Sequence, residues 1–133
     1  MKNKIKKGNL NSEFKKNIKT RGWFVGSFLD KSSLLSNNDL EIKWGVHKKG
    51  ELYDKIRAVK HSKSLSILIR GKIGIDFPDL NKKIILKKEG DYLYWSEKTF
   101  HTSKILEDSL VLTIRWPSLK DNLIEKEIVQ IKN

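Results

Sequence analysis

The sequence predicts a single-domain all-β fold, and two observations support the prediction of strands. From Gly22 onward, short apolar runs are interrupted about every ten residues by Gly, Asn, Asp or Pro, a spacing typical of sandwiches and barrels. Two segments, residues 64–73 and 90–101, are spaced like the two halves of one small β-barrel. The chain of 133 residues contains no cysteine, so packing within a single domain must stabilise it.

A helix is predicted first, followed by nine strands. The helix is expected at residues 11–19, with Ser12 as its N-cap and with Phe14 and Ile18 on one face. Gly71 separates the fourth and fifth strands, as a tight hairpin turn would. The predicted strands are residues 23–28, 41–47, 53–59, 64–70, 72–76, 83–87, 91–95, 100–104 and 109–116.

The C-terminal residues do not predict one type of secondary structure. Apolar residues between positions 118 and 132 fit one face of a helix, whereas residues 127–132 alternate like a strand. We therefore treat residues 119–133 as a C-terminal extension of a β domain that covers residues 21–118. Residues 1–20 form a basic N-terminal tail in this division.

The positive charge is concentrated near the N terminus. Residues 1–21 carry seven Lys and one Arg against one Glu, so this segment holds +7 of the total charge of +12. A basic tail attracts phosphate backbones, and nucleic-acid binding is therefore one alternative function. It is disfavoured because 24 of the 28 basic residues are lysine, whereas nucleic-acid recognition exploits the planar guanidinium group of arginine.

No apolar segment is long enough to predict membrane insertion. No run approaches the roughly 20 apolar residues of a membrane span, and none follows the basic N terminus as in a secretory signal. The sequence therefore predicts a cytoplasmic protein that has no membrane partner.

Five short segments resemble the cupin superfamily. Residues 64–71 and 90–101 look like its two conserved motifs, and the whole set is similar to small bacterial, notably cyanobacterial, cupin-like proteins of unassigned function. The resemblance covers about residues 21–118 and implies a cupin-type double-stranded β-helix, an antiparallel β-barrel, that forms a homodimer. The five segments are Arg-Gly-Trp-Phe-Val-Gly (21–26), Glu-Ile-Lys-Trp-Gly-Val-His (41–47), Ser-Leu-Ser-Ile-Leu-Ile-Arg-Gly (64–71), Glu-Gly-Asp-Tyr (89–92) and Thr-Ile-Arg-Trp-Pro-Ser (113–118).

The resemblance also implies a metal site, but this chain departs from the cupin pattern. Cupins often hold one divalent metal through two His and one Glu of the first motif and one His of the second. Here the Glu position falls on Ser64, and the paired His positions fall within residues 57–60, which contain no metal ligand. Only His101 matches. Three of the four usual ligands are therefore missing.

An altered metal site remains an alternative. It would need His61, or His47 together with Glu51, to lie beside His101. Iron, manganese, nickel or zinc held in this way would favour a dioxygenase or an isomerase, and a metal-free protein is equally compatible with the sequence.

Strand alternation predicts which side chains line the interior. If Ser64 points inward, Ser66 shares its face because side chains alternate along a strand. Inward hydroxyl groups with basic side chains around them suit a small polar or anionic ligand, such as a carboxylate or a phosphate. In the alternative, Lys43 and Arg115 lie on a solvated outer face. The predicted ligand-binding residues are Ser64, Ser66, His101, His47, Lys43, Arg115 and Tyr94.

Overall fold

A computed structural model describes residues 3–52 and 55–127 of the chain. This part contains one helix, eight strands and two short 3₁₀ turns, at Ile18–Thr20 and Pro78–Leu80. The all-β prediction is confirmed. The helix and strands are α1 (Leu10–Lys16), β1 (Trp23–Val25), β2 (Glu41–His47), β3 (Lys55–Val59), β4 (Lys63–Phe77), β5 (Lys82–Leu86), β6 (Tyr92–Trp95), β7 (Thr102–Trp116) and β8 (Leu123–Glu127).

The strands form two antiparallel sheets. The larger has the order β1-β2-β7-β4-β5, with β6 also paired to β4, and the smaller consists of β3 and β8. The strands β4 and β7 have 15 residues each and pair with one another along most of their length. Within the described residues the ladders do not close into a continuous barrel.

Gly71 does not form the predicted hairpin turn. It lies inside β4, where the register with β7 shifts between Leu68 and Ile73, so the chain continues as one bulged strand. The bulge changes which positions are buried, from even numbers up to Leu68 to odd numbers from Ile73 onward. Gly71 has φ of 105°, which suits a bulge as well as a turn.

The strands predicted at residues 100–104 and 109–116 also form one strand, β7. Glu107 pairs with Lys72 at the bulge rather than opening a turn. The hydroxyl of Ser109 bridges the bulge, because it accepts a hydrogen bond from the Lys72 amide (3.0 Å) and donates one to the Glu107 carbonyl (2.6 Å).

The helix is shorter than predicted and has a different N-cap. Asn9 caps it by accepting a hydrogen bond from the Ser12 amide at 3.0 Å, so Ser12 lies inside the helix. Asn is as strong an N-cap as Ser, which explains the shift. The indole N–H of Trp44 donates to Asn11 Oδ1 (2.8 Å) and holds the helix against β2.

The C-terminal segment is a strand in its described part. Residues 123–127 pair with β3. The division of the chain into a tail of residues 1–20, a domain of residues 21–118 and an extension of residues 119–133 stays a prediction. The strand predicted at residues 53–59 corresponds to β3, which begins at Lys55, and residues 53 and 54 lie outside the described part. The predictions for residues 128–133 also lie outside the described part. None of the helices in the described part has the length and apolar character needed to cross a membrane.

The main cluster of buried apolar side chains lies on the face of the larger sheet that we call the inner face and define by Ser64, Ser66 and Leu68 of β4. The apolar core follows the second half of β4, whereas the first half of β4 places buried serines on this face. The polar part of the inner face therefore lies at one end. The core residues are Leu68, Ile73, Ile75, Phe77, Leu86, Trp95, Ile105 and Val111.

Asn122 ties the segment before β8 to the end of β3. Its carbonyl accepts from the Lys60 amide (2.7 Å), its side-chain oxygen accepts from the His61 amide (2.9 Å), and its side-chain nitrogen donates to Ser62 Oγ (2.7 Å). Asn122 is buried, so these bonds are shielded from water.

We expect Asn122→Ala to lower the free energy of unfolding by about 1–3 kcal/mol, because it removes two side-chain bonds at a buried position. Urea unfolding measures the change. Lys120→Ala, at an exposed position two residues earlier, should change stability by less than about 0.5 kcal/mol. Equal effects of the two substitutions would contradict this role of Asn122.

Candidate functional site

The strand register places most of the predicted ligand-binding residues on the inner face. Ser64 lies opposite Arg115 of β7, which in turn lies opposite Glu41 of β2. One step further along, Thr113 lies opposite Lys43. Because directly paired residues share a face, Lys43 and Arg115 point inward and not to a solvated outer face.

Tyr94 is the exception among the predicted ligand-binding residues. It pairs with Leu65, on the face opposite to Ser64, and its side chain is exposed. Its ring lies 6.3 Å from that of Trp116. The inward neighbour on β6 is Trp95, which pairs directly with Ser64.

The two inward serines differ in their hydrogen bonding. Ser66 Oγ lies 2.9 Å from Thr113 Oγ1, so these hydroxyls satisfy one another. Ser64 Oγ and the Trp95 indole nitrogen are buried and have no hydrogen-bond partner among the described residues. Buried donors without partners are uncommon, and each costs free energy.

Arg115 is a mostly buried cation, with 23% of its side chain exposed, whose charge is only partly compensated. Its Nη1 lies 3.6 Å from Glu41 Oε2, and its Cζ lies 4.5 Å from the centre of the Trp23 ring. Its Nε is buried without a hydrogen-bond partner in the described part of the chain. Burial lowers the pKa of Arg115, and Arg57 adds to this effect while Glu41 opposes it.

Lys43 carries a second inward positive charge. Burial, together with the positive charges of Arg115, Arg21 and Arg57, lowers the pKa of its amine to about 8. Its Nζ lies 5.9 Å from the centre of the Trp23 ring. No carboxylate oxygen in the described residues lies within 4.0 Å of this amine. Positive charge therefore exceeds negative charge in this part of the inner face.

His47 lies at the far end of β2 from Glu41. Its Nδ1 lies 3.1 Å from Glu51 Oε2, and burial together with the charge of Lys43 lowers its pKa. Gly45 makes room for this ring, because a Cβ at Gly45 would lie 2.8 Å from His47 Nε2.

His101 lies in a more apolar environment than His47. Its ring is 4.7 Å from that of Trp95 and 6.2 Å from that of Phe77, and burial lowers its pKa to about 4. Its backbone exchanges two hydrogen bonds with Arg57, of 2.9 and 3.0 Å.

The structure does not bring the four predicted metal ligands together. His47 and Glu51 are in contact, whereas His61 is exposed next to β4. Within residues 3–52 and 55–127, no group of three or more acidic or histidine side chains could hold a metal ion. The residues present therefore do not fit the metal set of the resemblance.

A cleft of about 580 Å³ opens at the polar end of the inner face. Arg115 and Glu41 lie at its base, and the walls come from residues 27–28 after β1 and residues 119–123 before and within β8. The sequence does not predict these walls, because the strand expected at residues 23–28 ends at Val25 in the structure and the meeting of residues 27–28 with residues 119–123 is a long-range contact. The lining residues are Ser27, Phe28, Glu41, Val59, Lys60, Arg115, Leu119, Lys120, Asp121, Asn122 and Leu123.

Comparison with solved structures identifies the fold. No protein-family model and no curated protein matches the chain. A Klebsiella pneumoniae protein with a double-stranded β-helix domain matches with a TM-score of 0.60 and 14% identity, over 75% of this chain and 90% of that one. A cupin protein from Bacteroides fragilis matches with a TM-score of 0.52 and 21% identity, over 70% and 80% of the two chains. The fold is a cupin-type double-stranded β-helix.

A third solved structure that matches this chain carries a different protein name. KdgF from Halomonas sp. matches with a TM-score of 0.56 and 18% identity, over 74% of this chain and 90% of that one. At such identities the likeness concerns the fold alone, because one fold supports many functions. The narrower resemblance to small cyanobacterial cupin-like proteins stays a prediction.

Proposed function

We propose that the protein binds a small anionic ligand in the cleft at the polar end of the cupin fold, with Arg115 as the residue that holds the anion. The observation that carries this proposal is that Arg115 lines a cleft of about 580 Å³ while its buried Nε has no hydrogen-bond partner in the described residues. A guanidinium group recognises carboxylates and phosphates through two parallel hydrogen bonds.

The size and charge of the cleft support this proposal. Ligand pockets usually have volumes of about 300–1,000 Å³, and this cleft falls within that range. Lys43 lies diagonally across the β2-β7 ladder from Arg115 and adds a buried positive charge. An incoming anion would lower the electrostatic cost of burying these two cations together.

The other functions considered from the sequence stay predictions. They are a metal-dependent dioxygenase or isomerase around His101, and nucleic-acid binding by the basic tail. The predicted homodimer and the cytoplasmic location also stay predictions.

The test is a titration with inorganic phosphate, acetate, malonate and citrate, each at the same ionic strength. Isothermal titration calorimetry should detect saturable binding of at least one of these anions. Arg115→Gln should weaken that binding at least about tenfold, and Arg115→Lys should weaken it less, because it keeps the charge and loses the planar fork.

Arg70→Gln is the matched control, because Arg70 is an exposed arginine of β4. It should leave the affinity unchanged, which separates specific binding from attraction to a protein of charge +12. Circular dichroism verifies that each variant is folded. Binding that Arg115→Gln and Arg70→Gln reduce equally, or no saturable binding at all, would contradict the proposal.

A further inference from the structure

We infer that the ligand is an amphiphilic carboxylate, whose single negative charge lies on Arg115 and whose apolar body packs against Phe28, Leu119 and Leu123. This inference rests on the proposed binding of an anion in the cleft. The proposed function specifies only that the ligand is negatively charged. The inference specifies in addition that the ligand is an organic acid with an apolar chain or ring.

The apolar part of the cleft consists of side chains that the fold leaves in water. Phe28, Leu119 and Leu123 line the cleft and are 44%, 43% and 45% exposed. They come from two segments that are far apart in the sequence and meet around the same opening. Clustered exposed apolar side chains are typical of a binding site, whereas single ones occur on most protein surfaces.

A shared hydrogen-bond network holds the apolar walls and Arg115 in place relative to one another. Ser118 Oγ accepts from the Ser27 amide at 2.9 Å and donates to Glu41 Oε1 at 3.0 Å. Glu41 is the ion-pair partner of Arg115. The Ser118 side chain therefore connects Arg115, through Glu41, to the wall formed by residues 27–28 and to its own segment, which leads into the other wall. The spacing between the cation and the apolar side chains is therefore fixed before a ligand binds.

The charge of the cleft favours a single negative charge on the ligand. Among its lining residues, Lys60, Arg115 and Lys120 are positive, whereas Glu41 and Asp121 are negative. The lining therefore carries one excess positive charge. A second carboxylate on the ligand would lie among charged groups that already compensate one another. The free-energy cost of removing water from it would therefore not be offset by attraction to an uncompensated cation.

The test is a series of straight-chain acids, namely acetate, butyrate, hexanoate and octanoate, at constant ionic strength and below their micelle concentrations. Burial of one CH₂ group contributes about 0.8 kcal/mol, which corresponds to about fourfold in affinity. The dissociation constant should therefore fall by about fourfold per added CH₂ until the chain fills the cleft. Hexanol, which has a similar chain without the carboxylate, should bind at least about tenfold more weakly than hexanoate.

Variants separate the apolar walls from the anion-binding residue. The double substitution of Phe28→Ser and Leu119→Ser should remove most of the chain-length dependence, so that the ratio of octanoate to acetate affinity falls toward one. Leu80→Ser is the matched control, because Leu80 is 59% exposed and does not line the cleft. It should keep the full chain-length dependence.

Each outcome has a distinct meaning. If acetate binds through Arg115 and octanoate binds no more tightly, the inference is overturned while the proposed function stands. If the dependence on chain length survives in the double variant, the apolar body binds elsewhere and the inference is also overturned. If none of these acids binds in an Arg115-dependent manner, the inference is overturned, and the proposed function fails as well if phosphate, malonate and citrate also do not bind through Arg115.

Discussion

Lys43→Met should raise the free energy of unfolding by about 3 kcal/mol at pH 7. The amine of Lys43 has a pKa of about 8 in the folded protein, against an ordinary value of 10.5, because it is buried and close to three arginines. Each unit of this difference corresponds to about 1.4 kcal/mol, and methionine fills a similar volume without a charge. Urea unfolding of the two proteins at pH 7 measures the gain.

The pH dependence of stability gives an independent test of the same group. Unfolded lysine binds a proton up to pH 10.5, whereas the folded protein releases it near pH 8. The wild type should therefore become more stable as the pH rises from 8 to 10.5, and Lys43→Met should lose this part of the dependence. Lys104→Met, at an exposed position on β7, is the control and should change stability by less than about 0.5 kcal/mol. A loss of stability in Lys43→Met would contradict the proposed excess of positive charge.

The wild type should lose stability in mild acid because of His101. The pKa of this imidazole is about 4 when folded, against an ordinary value of 6.5. Between these values the unfolded chain binds a proton that the folded protein does not bind, so stability is complete above pH 6.5 and falls as the pH decreases toward 4. The expected loss is about 1.4 kcal/mol per pH unit and about 3 kcal/mol in all.

His101→Phe should reduce this slope while keeping the ring contacts with Trp95 and Phe77. Urea unfolding between pH 6.5 and 5 is the measurement, since most carboxylates titrate below about pH 5. Part of the slope should remain, because burial also lowers the pKa of His47. His61→Phe makes the same change at an exposed ring and should preserve the wild-type slope. Identical slopes for His101→Phe and the wild type would show that His101 does not cause the loss.

The sequence was most informative where a strand alternates between clear boundaries. Residues 41–47 were predicted as a strand and form β2 with the same limits, and the shared face of Lys43 and His47 follows from the alternation. Gly71 was misinterpreted because a positive φ is needed both in a hairpin turn and in a bulge. Only pairing with β7 distinguishes the two, and pairing is a long-range property.

Alternation also leaves the choice of face open. It places Tyr92 and Tyr94 on one side of β6, and it does not say whether that side faces inward. The register answers this question, because Tyr94 pairs with Leu65 and not with an inward residue of β4. The inward residue of β6, Trp95, was therefore absent from the predicted site.

The walls of the cleft could not be predicted, for a related reason. The sequence pattern places Phe28 at the end of a strand and Leu119 on one face of a helix, whereas both lie in irregular segments of the structure. Local periodicity therefore does not show that they meet. The spatial meeting of these segments depends on the contacts of Ser118 with Ser27 and Glu41. For Arg115 the sequence leaves an inward and an outward position open, and pairing with Ser64 places it on the inner face.

The anchoring of the C-terminal wall by Asn122 has a consequence for the evolution of ligand preference. Residues 119–121 lie between the end of β7 and the buried Asn122, and all three are exposed. Leu119 and Lys120 can therefore be exchanged without disturbing the sheet, while Arg115 stays fixed inside β7 and Asp121 keeps a left-handed backbone conformation with φ of 51°. Related proteins could diversify the apolar or charged character of this short loop and acquire new ligands, with the stability of the domain conserved by a separate set of residues.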